Sequence, residues 1–167
     1  MNISHKPLVV LLMGPTASGK TAFSLDLAEA LQTEIISVDS ALVYRQMDIG
    51  TAKPSLDERT RIPHHLIDII DPSENYSTGQ FRDQSSQLID DLVAKNKTPI
   101  LTGGTMLYFN ALTEGLAQLP PANAEIRAVL ERQMLAEGKQ AMHQRLRQID
   151  PESATRIHMN DPQRIQR

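Results

Sequence analysis

Eight consecutive residues, Gly14-Pro15-Thr16-Ala17-Ser18-Gly19-Lys20-Thr21, constrain this chain more than any others. They fit G-x-x-x-x-G-K-[ST], a loop whose glycines let successive backbone N–H groups turn inward on an anion. The pattern carries weight only between a strand and a helix, and both flanks comply. Leu8-Val9-Val10-Leu11-Leu12-Met13 is an unbroken apolar run of strand length. Thr21 to Gln32 follows with helical period, placing Phe23, Leu27, Ala30 and Leu31 on one stripe. The N-terminus of that helix adds its dipole to the loop. Lys20 is read as meeting the bridging and terminal phosphate oxygens, and the Thr21 hydroxyl as a ligand of Mg²⁺. A polyphosphate is therefore expected here; the motif does not say what is done to it.

The 167 residues suffice for a domain with a sizeable core. Without cysteine, neither a disulfide nor a thiolate metal site can form. No apolar run approaches the ~18 residues of a spanning helix, and the N-terminus lacks a signal-peptide pattern. The expectation is a cytoplasmic monomer that engages no membrane. Net charge is −3 but unevenly placed: residues 1–122 hold nine Lys/Arg and 14 Asp/Glu, residues 123–167 eight and six. The positive end is rich in arginine, whose planar fork suits phosphate, although solvated helix faces would give the same excess.

Further along, Glu34-Ile35-Ile36-Ser37-Val38-Asp39-Ser40 reads as a buried parallel strand with Asp39 at its carboxyl end, the edge where open α/β sheets bind ligands. Gly50-Thr51-Ala52-Lys53-Pro54 is a loop by its breakers. Ser55 and Glu58 form a capping box ahead of a short helix. Residues 62–72 read as a strand closed by Asp71-Pro72. Its adjacent His64 and His65 point to opposite faces, which argues against a shared metal. A helix is expected from Thr78 to about Asn96, with Leu88, Ile89, Leu92 and Val93 inward. The next strand, Thr98–Thr102, runs into Gly103-Gly104-Thr105, a second glycine turn on the same sheet edge. Met106 to Gly115 then continues as a helix carrying Leu107, Tyr108 and Leu112.

Pro120-Pro121 marks a boundary, separating a core at 1–119 from a helical segment at 120–167. In that segment Ile126, Val129, Leu130 and Met134 form a stripe ending near Gly138, followed by Met142, Leu146 and Ile149. Asp150-Pro151 and Asp161-Pro162 each pair an N-cap with a proline at the first helical position. A well-capped helix that stops after about one turn suggests the N-terminal part of a longer protein.

Together these segments resemble the tRNA dimethylallyltransferases. The likeness rests on the ordered set Gly14–Thr21, Asp39-Ser40-Ala41-Leu42-Val43-Tyr44-Arg45, Gly50–Pro54, Pro63-His64-His65-Leu66, Gly103-Gly104-Thr105 and Asn160-Asp161-Pro162-Gln163-Arg164. It covers the whole chain and about the first half of a family member. It implies an α/β fold: a P-loop NTPase-like parallel sheet with helices on both faces, followed by the start of a helical insertion. It implies transfer of a dimethylallyl group from its diphosphate to N6 of the adenosine 3′ of the anticodon. Gly14, Pro15, Thr16, Ala17, Ser18, Gly19, Lys20 and Thr21 would hold the diphosphate, Thr21 would bind Mg²⁺, and Asp39 would take the proton. Asp39, Ser40, Ala41, Leu42 and Thr105 would face the tRNA. Arg127, Gln163, Arg164, Ile165, Gln166 and Arg167 would grip its anticodon stem-loop. The missing half implies a fragment that binds diphosphate but transfers little. Two other readings share the loop: a small-molecule or nucleotide kinase, and a non-catalytic tRNA-binding module.

Overall fold

The computed structural model describes residues 7–15, 17–116 and 123–167. The chain divides into two compact units, Met1–Ala117 and Gln118–Arg167. The expected boundary at Pro120-Pro121 lies outside the described residues.

Four strands, all parallel, build the first unit: β1 (Val10–Met13), β2 (Ile35–Val38), β3 (His64–His65) and β4 (Ile100–Gly103), in the order β1-β4-β2-β3. Met13 and Val38 both stand opposite Gly103. The carboxyl ends of β1, β4 and β2 are therefore flush, and the loops that leave them start side by side. Its helices are α1 (Lys20–Ala30), α2 (Leu56–Arg61), α3 (Thr78–Ala94) and α4 (Met106–Thr113).

Side chains alternate across a strand, and both faces of β2 are covered. On one face Ile35 and Ile100 pack with Leu25 and Ala28 of α1 and with Ile62. On the other, Ile36, Val38 and Leu101 meet Phe81 and Leu92 of α3 and Tyr108 and Phe109 of α4. Phe81 and Tyr108 stack with centroids 4.2 Å apart and planes inclined by 13°. A strand wet on neither face reads as a continuous apolar run, and all four β2 residues are buried. Helices on both faces of a parallel sheet is the expected architecture. Capping boxes start α2 at Ser55 with Glu58 and α3 at Ser77 with Gln80.

Two expectations fail locally. Helix α1 buries Ser24, Leu25 and Ala28, while Phe23 is 57% and Leu31 42% exposed and Ala30 is exposed too. Small Ser24 and Ala28 let α1 lie close on the sheet, and the Ser24 hydroxyl donates to the Thr21 carbonyl at 2.9 Å, so its burial leaves nothing unpaired. Apolar spacing alone selects the wrong face. Residues 62–72 form only a two-residue strand, because Leu66 (φ 60°) and Asp68 (φ 57°) adopt left-handed backbone; extended pairing resumes in a single bridge between Tyr44 and Ile70. In α4, Tyr108 and Phe109 turn inward and Leu107 outward.

The second unit holds α5 (Ala124–Ile149), α6 (Pro151–Arg156) and α7 (Pro162–Gln166). Asn123 caps α5 by accepting from the Glu125 and Ile126 amides at 2.9 and 3.1 Å. Gly138 (φ 83°, ψ 165°) interrupts α5 where the first apolar stripe ends, in a backbone region nearly exclusive to glycine. Asp150 and Asp161 cap α6 and α7 through the Ser153 and Arg164 amides, each followed by proline. Met142, Ala154 and Ile165 are buried. Ile126, Val129 and Ile149, expected inward, are exposed. Helices α6 and α7 are only six and five residues long and each buries a single side chain, Ala154 and Ile165, too little to cover both segments of α5 on either side of Gly138. Among the described residues no helix is long and apolar enough to cross a membrane.

Candidate active site

The loop between β1 and α1 turns through left-handed backbone at Ala17 (φ 64°) and Gly19 (φ 83°). Gly19 is the N-cap of α1, with no side-chain cap and no acidic residue in the first turn. No acidic residue in that turn offsets the positive end of this 11-residue helix. The Lys20 ammonium folds back over the loop, donating to the Pro15 carbonyl, with Ser18 Oγ 3.4 Å away. Thr16 lies outside the described residues.

Next to this loop, β4 ends in Gly103. A Cβ there would stand 2.0 Å from the Val38 carbonyl oxygen, so the close passage of β4 against β2 requires glycine. The chain then turns so that the Thr105 amide donates to Val38 O at 3.2 Å. Thr105 Oγ1 accepts from the Ser40 amide at 3.0 Å. In this way the Gly-Gly-Thr turn buttresses the loop after β2. Within that loop Asp39 Oδ1 accepts from the Ala41 amide at 2.8 Å, which fixes the carboxylate and leaves Oδ2 without a partner among the described residues.

The three loops frame one cleft of about 390 Å³. Ala17, Gly19, Lys20 and Thr21 line one side, Asp39 and Leu42 another, and Thr102, Gly103 and Gly104 the floor. The structure therefore brings Lys20, Thr21 and Asp39 together, with Leu42 buried in the wall. Ser40, Ala41 and Thr105 belong to the loops behind.

Sequence reading passed over the opposite wall: Thr51, Ala52, Pro54, His64 and Ile67. Its segments stood out as motifs, but only the fold joins them. Lys53 is the joint. Its ammonium, 3% exposed, donates to Tyr44 O (3.1 Å), Asp48 Oδ1 (2.8 Å) and Asp68 Oδ1 (2.5 Å), and Arg59 Nη1 reaches Asp68 Oδ2 at 2.6 Å. Burial alone would draw the Lys53 pKa down; the bonds to Asp48 and Asp68 outweigh it and raise it. Burial likewise works to raise the Asp68 pKa, and Lys53 and Arg59 hold it below the usual carboxylate value. His64 and His65 go to separate partners. His65 Nε2 lies 2.7 Å from Glu34 Oε2, and His64 Nδ1 lies 2.7 Å from Ile62 O. A carbonyl only accepts, so Nδ1 of His64 carries the proton. Burial, above all, pushes the His64 imidazole below its ordinary pKa, which keeps it neutral at pH 7.

Within the second unit, Gln166 Nε2 donates to Arg127 O at 3.0 Å, which ties α7 to the start of α5. Arg127 and residues 163–167, far apart in sequence, are thereby neighbours. Arg164 pairs with Asp161 at 3.3 Å. Gln163 and Arg167 are exposed, whereas Ile165 is buried and its side chain serves packing.

A family model described as IPP transferase matches residues 42–167. The chain is 57% identical over 167 residues to the tRNA dimethylallyltransferase of Methylococcus capsulatus, covering 100% of this chain and 54% of that protein. It is 58% identical over 162 residues to the enzyme of that name from Nitrosococcus oceani, covering 97% and 52%. Among solved structures, the full-length tRNA isopentenylpyrophosphate transferase of Bacillus halodurans aligns with a TM-score of 0.66 at 44% identity, covering 96% of this chain and 54% of that one. A eukaryotic dimethylallyltransferase captured acting on tRNA aligns with a TM-score of 0.82 at 31% identity, covering 96% and 40%. The chain spans about half the length of the curated relatives it matches.

Proposed function

The chain belongs to the IPP transferase family, and from that premise we propose that its cleft serves dimethylallyl transfer from dimethylallyl diphosphate to N6 of the adenosine 3′ of the anticodon in tRNA. The observation that carries this is the shared cleft. Lys20 and Thr21 line it at the phosphate loop, and the Asp39 carboxylate, held by the Ala41 amide, lines it from the neighbouring strand.

The chemistry needs both sides. The N6 lone pair attacks the first carbon of the dimethylallyl group as the carbon–oxygen bond breaks, and the diphosphate leaves with the electron pair. Backbone amides of the phosphate loop at the start of α1 and the Lys20 ammonium would stabilise the charge that grows there. The amine is a weak nucleophile because its lone pair is delocalised into the purine. Asp39 removes its proton during attack, the more usefully because its Oδ2 has no partner among the described residues. The base must leave its stack to reach the cleft.

The donors around Thr21 are hard oxygens: the hydroxyls of Thr21, Ser37 and Thr102 and the Asp39 carboxylate. Such a set fits Mg²⁺, and Thr21 would hold it. When bound, the ion neutralises charge on the leaving diphosphate. Arg127, Gln163, Arg164 and Arg167 would contact the anticodon stem-loop, and the cytoplasm is where that substrate would be met.

The test is calorimetric titration of dimethylallyl diphosphate with Mg²⁺, and of ATP with Mg²⁺, into the chain and into Lys20→Ala. The expected result is binding of the diphosphate that Lys20→Ala abolishes, with little transfer to an anticodon stem-loop RNA by these 167 residues alone. Tight ATP binding with no response to dimethylallyl diphosphate would overturn the reading in favour of a kinase.

A further inference from the structure

One hydroxyl on the cleft face has no partner among the described residues. Side chains alternate along β2, so Ser37 shares the face of Ile35 and Asp39, one step deeper than Asp39. Ser37 is 4% exposed, and its Oγ makes no hydrogen bond among the described residues yet is not sealed from solvent. It lines the cleft together with Lys20 and Thr21. The strand register sets Thr102 directly beside it, also lining the cleft. Thr102 Oγ1 is likewise without a partner among the described residues. Ser24, the third hydroxyl at this spot, differs, because it is already committed to the Thr21 carbonyl.

We propose that Ser37, with Thr102 at its side, positions the divalent cation at Thr21 by accepting hydrogen bonds from the water ligands that the cation retains. This rests on the diphosphate reading above and adds residues to it. The reasoning is chemical. Mg²⁺ dehydrates reluctantly and keeps several waters, and a cation's waters are strong donors that need acceptors. A buried carboxylate at position 37 would add a second negative charge beside Asp39; a hydroxyl accepts at no cost in charge. Acting through the cation's waters and not on the leaving group or the adenine, Ser37 would be a positioning residue.

The test follows Mn²⁺ by electron paramagnetic resonance as it titrates the 167-residue chain in the presence of inorganic diphosphate. Ser37→Ala is expected to weaken Mn²⁺ binding about three- to ten-fold, the range of one lost water-mediated bond. Binding of diphosphate without metal should be unchanged. Ser37→Cys preserves volume but bonds poorly, and it should resemble Ala. The pair Ser37→Ala with Thr102→Val should lose more than Ser37→Ala alone. If Ser37→Cys behaves as the unmodified chain, or Ser37→Ala costs nothing, the hydroxyl merely fills space and the proposal fails. If the unmodified chain takes up no Mn²⁺ with diphosphate, or Lys20→Ala leaves that uptake intact, the diphosphate reading itself fails.

Discussion

Gly103→Ala tests the geometry on which the site depends. The added methyl would stand 2.0 Å from the Val38 carbonyl oxygen, 2.4 Å from its carbon and 2.9 Å from the Val38 Cα. All three are backbone atoms, so no rotamer change relieves the overlap. Ordinary contacts begin near ~3.5 Å, so β2 and β4 must part by roughly 1 Å or more at this rung. Forced overpacking costs about 1–3 kcal/mol. The bond from the Thr105 amide to Val38 O, already 3.2 Å long, would be lost as well, at about 0.5–1.5 kcal/mol. The expected destabilisation is therefore about 2–4 kcal/mol, a large share of the ~5–15 kcal/mol that holds a domain together. Urea unfolding followed by tyrosine fluorescence measures it. Tyr44, Tyr76 and Tyr108 all belong to the first unit, so the signal reports on the sheet alone. Gly104→Ala is the control: its Cβ would meet the Gly14 carbonyl oxygen at 3.5 Å, an ordinary contact, and should cost under ~0.5 kcal/mol. Equal losses in the two variants would refute the argument.

Lys53→Met should destabilise the first unit by about 1–3 kcal/mol, since it leaves Asp68 with Arg59 alone; this lies below the cost of breaking a fully buried pair because Asp68 is partly wet. A change under ~0.5 kcal/mol in the same urea assay would show the ammonium to be better solvated than its 3% exposure implies. The depressed His64 pKa predicts a pH effect of definite sign. The unfolded imidazole, with a pKa of about 6.5, binds protons that the folded one refuses, so stability is full above ~6.5 and falls as pH drops toward the folded value. His64→Asn, whose amide can still donate to Ile62 O, should lose less between pH 7.5 and 5.5. Glu34 and Asp68 are both depressed carboxylates, and their losses begin only below about pH 5, outside this window. An identical slope in the variant would rule out His64 as the source.

Much of this architecture was legible as local pattern. The phosphate loop, the capping box at Ser55, the Asp-Pro helix starts and the break at Gly138 each depend on a few neighbouring residues. The buried run of β2 declared itself because a strand covered on both faces cannot alternate. Local pattern misled where packing chose between candidates. On α1, Phe23 and Leu31 offered the more apolar stripe, yet close approach to the sheet favoured small Ser24 and Ala28. At residues 62–72, left-handed turns at Leu66 and Asp68, held by Lys53 and Arg59, cut short an apolar run that alone suggests a long strand.

The candidate site divides in the same way. Sequence alone determined the groups on each loop, because amides turned by glycine, a lysine and an acid after a buried strand are properties of short stretches. Tertiary structure decided which of them meet. Parallel pairing of β1, β4 and β2 sets Met13, Gly103 and Val38 level, so Lys20, Asp39 and Thr102 face one cleft although up to 82 residues separate them in the chain. The same pairing put the Ser37 hydroxyl beside Thr102, a neighbourhood that only the register of two strands can create.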